Sequence, residues 1–201
     1  KKDKEENSPN LLTMIRFSNT LSTYLASAIV SEDNLKKRVN YVEFCIELAQ
    51  QLFNTNNFNG CLEVLAALGN SAVARLKLTW EKIDRKLLVA LEEMRSTCAS
   101  DDNFKRYRYV VLNAPPPKLP YVGLILTDLV YIEEGNPKLT ADGQINFGRC
   151  EKIAECLQLF KLNQDVDLKP ASKDVIEFVN SAVALDEKAA YKRSLEIEPR
   201  I

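Results

Sequence analysis

The side chains that ordinarily carry covalent chemistry are scarce in this sequence. Its 201 residues include no histidine, which removes Ser-His-Asp and Cys-His hydrolysis, HExxH zinc proteolysis and any His-ligated metal site. The five cysteines, Cys45, Cys61, Cys98, Cys150 and Cys156, form no CxxC pair. An odd number scattered through helical patterns fits buried thiols in a reducing compartment. Neither a metal nor a cofactor is expected, so the function must come from a shaped surface.

Helices must build that surface. Ser8-Pro9 reads as an N-cap followed by proline at the first helical position, and Leu11, Ile15, Ser18, Leu21, Leu25, Ala28 and Ile29 share a face of a helix near 9–30. Leu35, Val39, Val42, Ile46, Ala49 and Phe53 predict a second long helix that ends in Asn54-Thr55-Asn56-Asn57. Asn56, Asn57 and Asn59 are expected to end that helix and cap the next. The third carries Phe58, Cys61, Leu62, Leu65 and Leu68 and stops at Gly69, after which Ser71 caps a short fourth. Ile83, Leu87, Leu88, Leu91 and Met94 line another. Asp102-Asn103 cap the one carrying Tyr107, Val110 and Val111, which Pro115-Pro116-Pro117 must end.

Residues 121–133 and 147–162 are again helical in pattern, and Glu134-Gly135-Asn136-Pro137 and Ala141-Asp142-Gly143 supply turns between them. Two helices joined in this way form a hairpin. Residues 167–170 lead to Ser172 and a helix through Val175, Ile176 and Val179, and Asp186 opens a last helix ending near Leu195. Only 109–112 and 144–147 suggest short extended pieces. Trp80 reads as a packed aromatic, and PPPKLP as a rigid hinge at the hairpin entry. No 20–50-residue period repeats, so the expectation is a single irregular all-α domain with a protruding helical hairpin at about 119–162.

Composition excludes other classes. Apolar residues make up 46% and charged residues 27%, a globular balance in which a core can form. With 27 basic against 28 acidic residues, no overall positive field attracts nucleic acid or anionic lipid. Residues 119–132 are too short and too interrupted to span a bilayer, and the charged first residues lack the apolar block of a signal peptide. The chain therefore reads as a cytoplasmic protein that reaches a membrane only through elements outside this sequence.

Several unusual strings occur in order: NNFNG at 56–60, Arg75-Leu76 followed by Thr79-Trp80, Tyr107-Arg108, PYVG at 120–123, Thr127-Asp128-Leu129, EGNP at 134–137, Ile145-Asn146-Phe147, Ser194-Leu195-Glu196 and Glu198-Pro199-Arg200. Alone each is weak. As an ordered set the chain resembles the catalytic domain of guanine-nucleotide exchange factors for Ras-family GTPases, from about Ser8 to Arg200. It is most similar to the Son of sevenless and Ras-GRF branches, through EEGNP after the first hairpin helix and SPNLL before Ile15-Arg16. Relative to that family the chain is short at its N-terminus, and Gly69, Ala74 and Pro115-Pro116-Pro117-Lys118 depart from the common pattern.

The resemblance implies a protein that frees GDP from a Ras-family GTPase without covalent chemistry and binds the nucleotide-free GTPase most tightly. A weakly active scaffold of the same fold is the alternative. It further implies that Val130 is pushed toward the magnesium site, that Glu134 mimics a phosphate, and that Thr127 and Asp128 share the inserting helix. Ile15, Leu62 and Tyr121 would form an apolar patch, with Arg16, Asn19, Arg75 and Lys152 as polar contacts. On spacing alone, Val130, Ile15 and Leu62 are equally core positions, Glu134 a solvated helix-end acid, and Arg16 and Arg75 surface charges. Residues 130 and 134 share a face only if the helix continues that far.

Overall fold

The computed structural model describes residues 3–161 and 171–200. The boundary at Leu162 and the segment 167–170 lie outside the described residues. Two long helices form the frame. α1 (Lys4–Asn7) is a single turn ahead of α2 (Pro9–Ser31), whose first residue is the expected proline, and α3 (Leu35–Asn54) starts where the Asn34 side chain accepts a bond from the Lys37 N–H. α4 (Phe58–Gly69) lies across both of them. The core runs through their shared faces: Leu25, Ile29 and Val30 of α2, Val42, Ile46 and Ala49 of α3, and Phe58, Cys61, Val64 and Leu68 of α4. Phe58 is fully enclosed, edge-on to Phe53 and to Tyr107 at ring distances of 5.5 and 6.0 Å.

Two short helices that periodicity undercounts complete this layer, α5 (Ser71–Ala74) and α6 (Lys77–Trp80). The cap of α5 is Asn70, whose side chain accepts from Ala72 N–H, and not Ser71. Gly69 belongs to the last turn of α4 and takes no left-handed conformation, because Asn70 ends one helix and begins the next. Trp80 is packed as expected, its indole N–H donating to the Val73 carbonyl with the Arg95 guanidinium over its ring.

α7 (Arg85–Thr97), capped by Asp84, covers α3. α8 (Asp101–Asn113) departs from the expected Asp102-Asn103 cap. Asp102, Asn103 and Phe104 are all left-handed, with φ of 49°, 57° and 60°, so the right-handed helix begins only after them. Asp and Asn tolerate that region; phenylalanine does not do so cheaply, and Phe104 is held there by packing on the core and on Tyr107. Residues 109–112, one of the two expected extended pieces, are helical within α8. The Pro-rich segment then stops the helix, and Lys118 Nζ donates to the carbonyls of Val111 and Ala114 that α8 leaves open.

The hairpin follows as α9 (Val122–Gly135) and α10 (Phe147–Lys161), packed on each other. Its tip is a tight loop with an isolated antiparallel bridge between Leu139 and Ile145, which is all that the expected strand at 144–147 becomes. Gly143, at φ 80°, turns it. Among the described residues there is no β-sheet, and the all-α fold expected from the sequence is the fold observed. α11 (Lys173–Asn180) is capped by Ser172, and α12 (Glu187–Ile197), capped by Asp186, packs on α2 and α5.

After α12 the chain turns inward. Glu198 is buried and forms an ion pair with buried Arg38, 3.2 Å apart, while also accepting from Thr79. Four cysteines are buried as expected; Cys150 is exposed, because its place on α10 faces away from the body. Burial pushes the Cys45 thiol up to about 12.

A second buried carboxyl makes stability pH-dependent. Glu63 sits at the junction of α2 and α4, and burial raises its pKa above the ordinary carboxylate value despite hydrogen bonds from Ser18 and Asn59. A raised folded-state pKa favours the protonated form, so this contribution is present below the unfolded-state value and is lost as pH rises through the folded one. Glu63→Gln, which keeps an acceptor for Asn59 and gains a donor for Ser18, is expected to raise the melting temperature at pH 8 by about 2–4 °C, on the order of 1 kcal/mol for a chain of this size. At pH 4 it should change little. Thermal unfolding across that range checks it, and an equal effect at both pH values would overturn it.

Candidate functional site

The outer face of α9 is exposed at helical spacing. Thr127, Val130, Tyr131 and Glu134 stand at i, i+3, i+4 and i+7, and all four are exposed, Val130 by 50% and Tyr131 by 69%. Glu134 lies inside α9, which runs one residue beyond it, so the condition for sharing a face with Val130 is met. An exposed valine and tyrosine on a projecting helix make an apolar patch that nothing among the described residues covers. Glu134 occupies the last turn, where the helix dipole opposes an acid, and no ion pair or hydrogen bond compensates its side chain among the described residues. Its neighbour Glu133 faces Arg149 at 3.8 Å instead.

Thr127 is anchored through its hydroxyl to the Gly123 carbonyl. Asp128 points elsewhere. Both of its carboxylate oxygens accept from Arg108 of α8 at 2.7 Å, a bidentate pair that turns this residue away from the exposed stripe and toward the body. Lys152 of α10 donates to Asn136 Oδ1 at the far end of α9. Arg75 is turned to α12: its guanidinium donates to the Ser194 carbonyl at 2.5 Å, which joins α5 to α12.

The remaining residues converge at the hairpin base. Asn59 does not cap α4; that bond is made by the Asn57 side chain with Gly60 N–H. Asn59 instead donates to Ser18 of α2 and to Glu63, and its Oδ1 accepts from Val122 N–H, the first residue of α9. One amide thus ties together the turn of α2 carrying Ile15, Arg16 and Asn19, the start of α4 carrying Leu62, and the turn carrying Tyr121. Ile15, Leu62 and Tyr121 are half-buried, while Arg16 and Asn19 are exposed, Arg16 lying 3.7 Å from Glu5. Asn56, left-handed at φ 60°, donates to the Pro115 carbonyl and so ties the proline segment to the same place. The Tyr121 ring lies across Gly123: a Cβ there would approach its ring and hydroxyl to 2.5–2.8 Å, which makes this glycine a close-approach position.

Tyr107, Arg108 and Asn59 form the hairpin base, and sequence reasoning gave none of them a site role. The strings containing them stood out, but their partners lie far away in the sequence. Among the described residues no cluster of Cys, Asp or Glu is arranged to hold a metal ion, and no helix is long and apolar enough to cross a membrane.

The architecture is thus a helical body that presents a projecting hairpin beside a half-buried apolar patch. The sequence matches the RasGEF domain over residues 1–151, and the chain belongs to that family. It is similar to Ras-specific guanine nucleotide-releasing factor 2 of Mus musculus, 33% identical over 205 residues, and to Ras guanine nucleotide exchange factor Y of Dictyostelium discoideum, 38% identical over 200 residues. These alignments cover 100% and 99% of this chain but only 17% and 13% of the two relatives. The chain spans about one sixth of the length of such relatives or less.

Proposed function

We propose that this chain promotes GDP release from a Ras-family small GTPase by inserting α9 of the hairpin beside the nucleotide and its magnesium ion. The observation that carries this reading is the exposed Thr127, Val130, Glu134 stripe on a helix that projects from the body, in a chain of the RasGEF family. Such a protein makes and breaks no covalent bond. It binds the nucleotide-free GTPase better than the nucleotide-bound form, and linkage then weakens nucleotide binding by the same factor. Catalysis is preferential binding of that intermediate.

Each part of the stripe has a physical task. Val130 brings an apolar side chain toward an ion that demands near-ideal octahedral oxygen ligation, and so supplies nothing that Mg²⁺ can use. Glu134 brings a carboxylate toward the place a phosphate leaves. Ile15, Leu62 and Tyr121 supply the apolar anchor for the GTPase's second switch region, with Arg16 and Asn19 at its rim. Arg75 and Asp128, engaged within the chain, support this surface by holding α12 and the hairpin. Lys152 contributes positive charge from the buttress helix.

Release of a fluorescent GDP analogue from purified Ras, Rap and Ral tests the reading, with the chain compared to Val130→Asp. Acceleration on one of them, cut at least tenfold in a Val130→Asp protein with an unchanged circular dichroism spectrum, is the expected result. Tight binding to the nucleotide-free GTPase without acceleration would make the chain a scaffold; no binding to any of the three would overturn the partner assignment.

A further inference from the structure

The hairpin is a cantilever. The buried residues of α9 are Val122, Leu124 and Ile125, all within its first turn, and among the described residues of α10 the buried one is Cys156, whose thiol approaches the Ile125 carbonyl at 3.7 Å. Beyond that base the two helices pack on each other, and among the described residues no further side chain of either is buried. Beside the base lies a partly open pocket of about 100 Å³, lined by Tyr107, Val111, Leu124, Ile125 and Leu159 among others. With apolar burial confined to one turn of α9 and to Cys156 among the described residues, apolar contact alone restrains the tilt of the hairpin weakly.

Two polar bonds hold the pivot itself: Val122 N–H to Asn59 Oδ1, and Tyr121 N–H to the Tyr107 hydroxyl at 2.6 Å. Both act on backbone at the very start of α9 and resist rotation poorly. A third restraint acts further out. Asp128 lies six residues beyond Val122, roughly 9 Å along the helix at 1.5 Å per residue, and Arg108 grips it through two bonds of 2.7 Å. Arg108 is itself braced. Its Nε donates to the Asn103 carbonyl at 2.8 Å and its Nη2 reaches Asn103 Oδ1 at 3.3 Å. Asn103 is one of the three left-handed residues, so the unusual start of α8 presents both acceptors to the guanidinium.

We infer that the Asn103–Arg108–Asp128 strut is a positioning device that sets the tilt of the hairpin and through it the rate of nucleotide release. The inference rests on the exchange function proposed above. Glu134 lies about 18 Å from the pivot on the same rise, so a tilt of about 10° carries it roughly 3 Å, several times the tolerance of about 0.5 Å for a working site. Asp128 and Arg108 touch no GTPase in this role. They act through Val130 and Glu134, and their loss should lower the turnover of bound GTPase while leaving the affinity of the Ile15–Leu62–Tyr121 patch in place.

The test uses Asp128→Ala, Arg108→Ala and the exchanged pair Arg108→Asp with Asp128→Arg. Spin labels at Ala141 on the hairpin tip and Ala66 on α4, in a Cys150→Ser background, read the tilt with no GTPase present. Both alanine variants should broaden or shift the tip-to-body distance, slow GDP release at saturating GTPase at least tenfold, and change KM less than threefold; the exchanged pair should recover both distance and rate. An unchanged distance in the alanine variants overturns the strut. An altered distance with an unaltered rate overturns its control of exchange. If the parent chain itself releases no nucleotide, the exchange function fails, and the distance measurement still decides whether the strut holds the hairpin.

Discussion

Glu198→Ala is expected to lower the melting temperature by about 6–20 °C, because removing one partner of a buried ion pair costs about 3–5 kcal/mol in a chain of this size. Glu198 Oε1 accepts from Arg38 Nη2 at 3.2 Å, from Thr79 N–H at 3.1 Å and from the Thr79 hydroxyl at 2.6 Å, and Oε2 accepts from Leu78 N–H at 3.0 Å. The side chains of the pair are only 3% and 6% exposed. Truncation would strand the first N–H groups of α6 and one edge of the guanidinium, although Arg38 keeps the carbonyls of Glu32 and Asp33. The pair need not be net stabilising for this to hold. Replacing both members by apolar residues, Arg38→Met with Glu198→Leu, is expected to fall closer to the parent than either single change. The exposed pair Arg193 with Asp33 is the contrast: its 2.5 Å separation is shorter, yet Asp33 is 80% exposed, and Asp33→Ala should cost under about 1 kcal/mol. A drop below about 3 °C for Glu198→Ala would mean that water replaces the carboxylate and that the C-terminal turn does not lock the body.

That ion pair marks the limit of what was legible in the sequence. Helix existence followed from apolar periodicity: α2, α3, α4 and α7 lie where Leu25, Val42, Phe58 and Leu91 place them, and the hairpin helices where 121–133 and 147–162 read as helical. Local capping was less secure. Asn70 outcompeted Ser71, and the left-handed turn at 102–104 is imposed by Phe104 packing and Arg108 bonding that no local rule contains. α6 was missed because four residues are too few to show a period. The stripe was legible only through the resemblance, since spacing alone left Val130 a core position and Glu134 a solvated helix-end acid. The base was not: Arg38 and Glu198 are 160 residues apart, Asn59 and Val122 63, and spacing says nothing about partners brought together by folding. The same limit applies to Arg75 and Asp128, whose types and positions suit a contact surface but whose charges are engaged within the chain.

Glu134→Ala is expected to slow GDP release by about 100- to 1,000-fold under the proposed function. A carboxylate about 4 Å from a phosphate charge, at an effective dielectric near 20, opposes it by roughly 4 kcal/mol, on the order of a thousandfold in nucleotide affinity. The side chain is exposed in the free chain, so its desolvation on docking returns part of that energy, and the lower end of the range follows. Glu134→Gln separates charge from hydrogen bonding: an amide keeps an acceptor for a phosphate-loop hydroxyl but loses the repulsion. If repulsion dominates, Gln should resemble Ala, and the parent's advantage should shrink as salt rises. Stability should move the other way. An acid in the last turn of α9 works against the helix dipole by about 0.3–1 kcal/mol, so Glu134→Gln should leave the melting temperature equal or slightly higher while release slows. Both measurements on one protein decide the matter, because a residue kept for folding would lose stability and activity together, whereas one kept at a cost to its helix for the sake of a partner loses only the second.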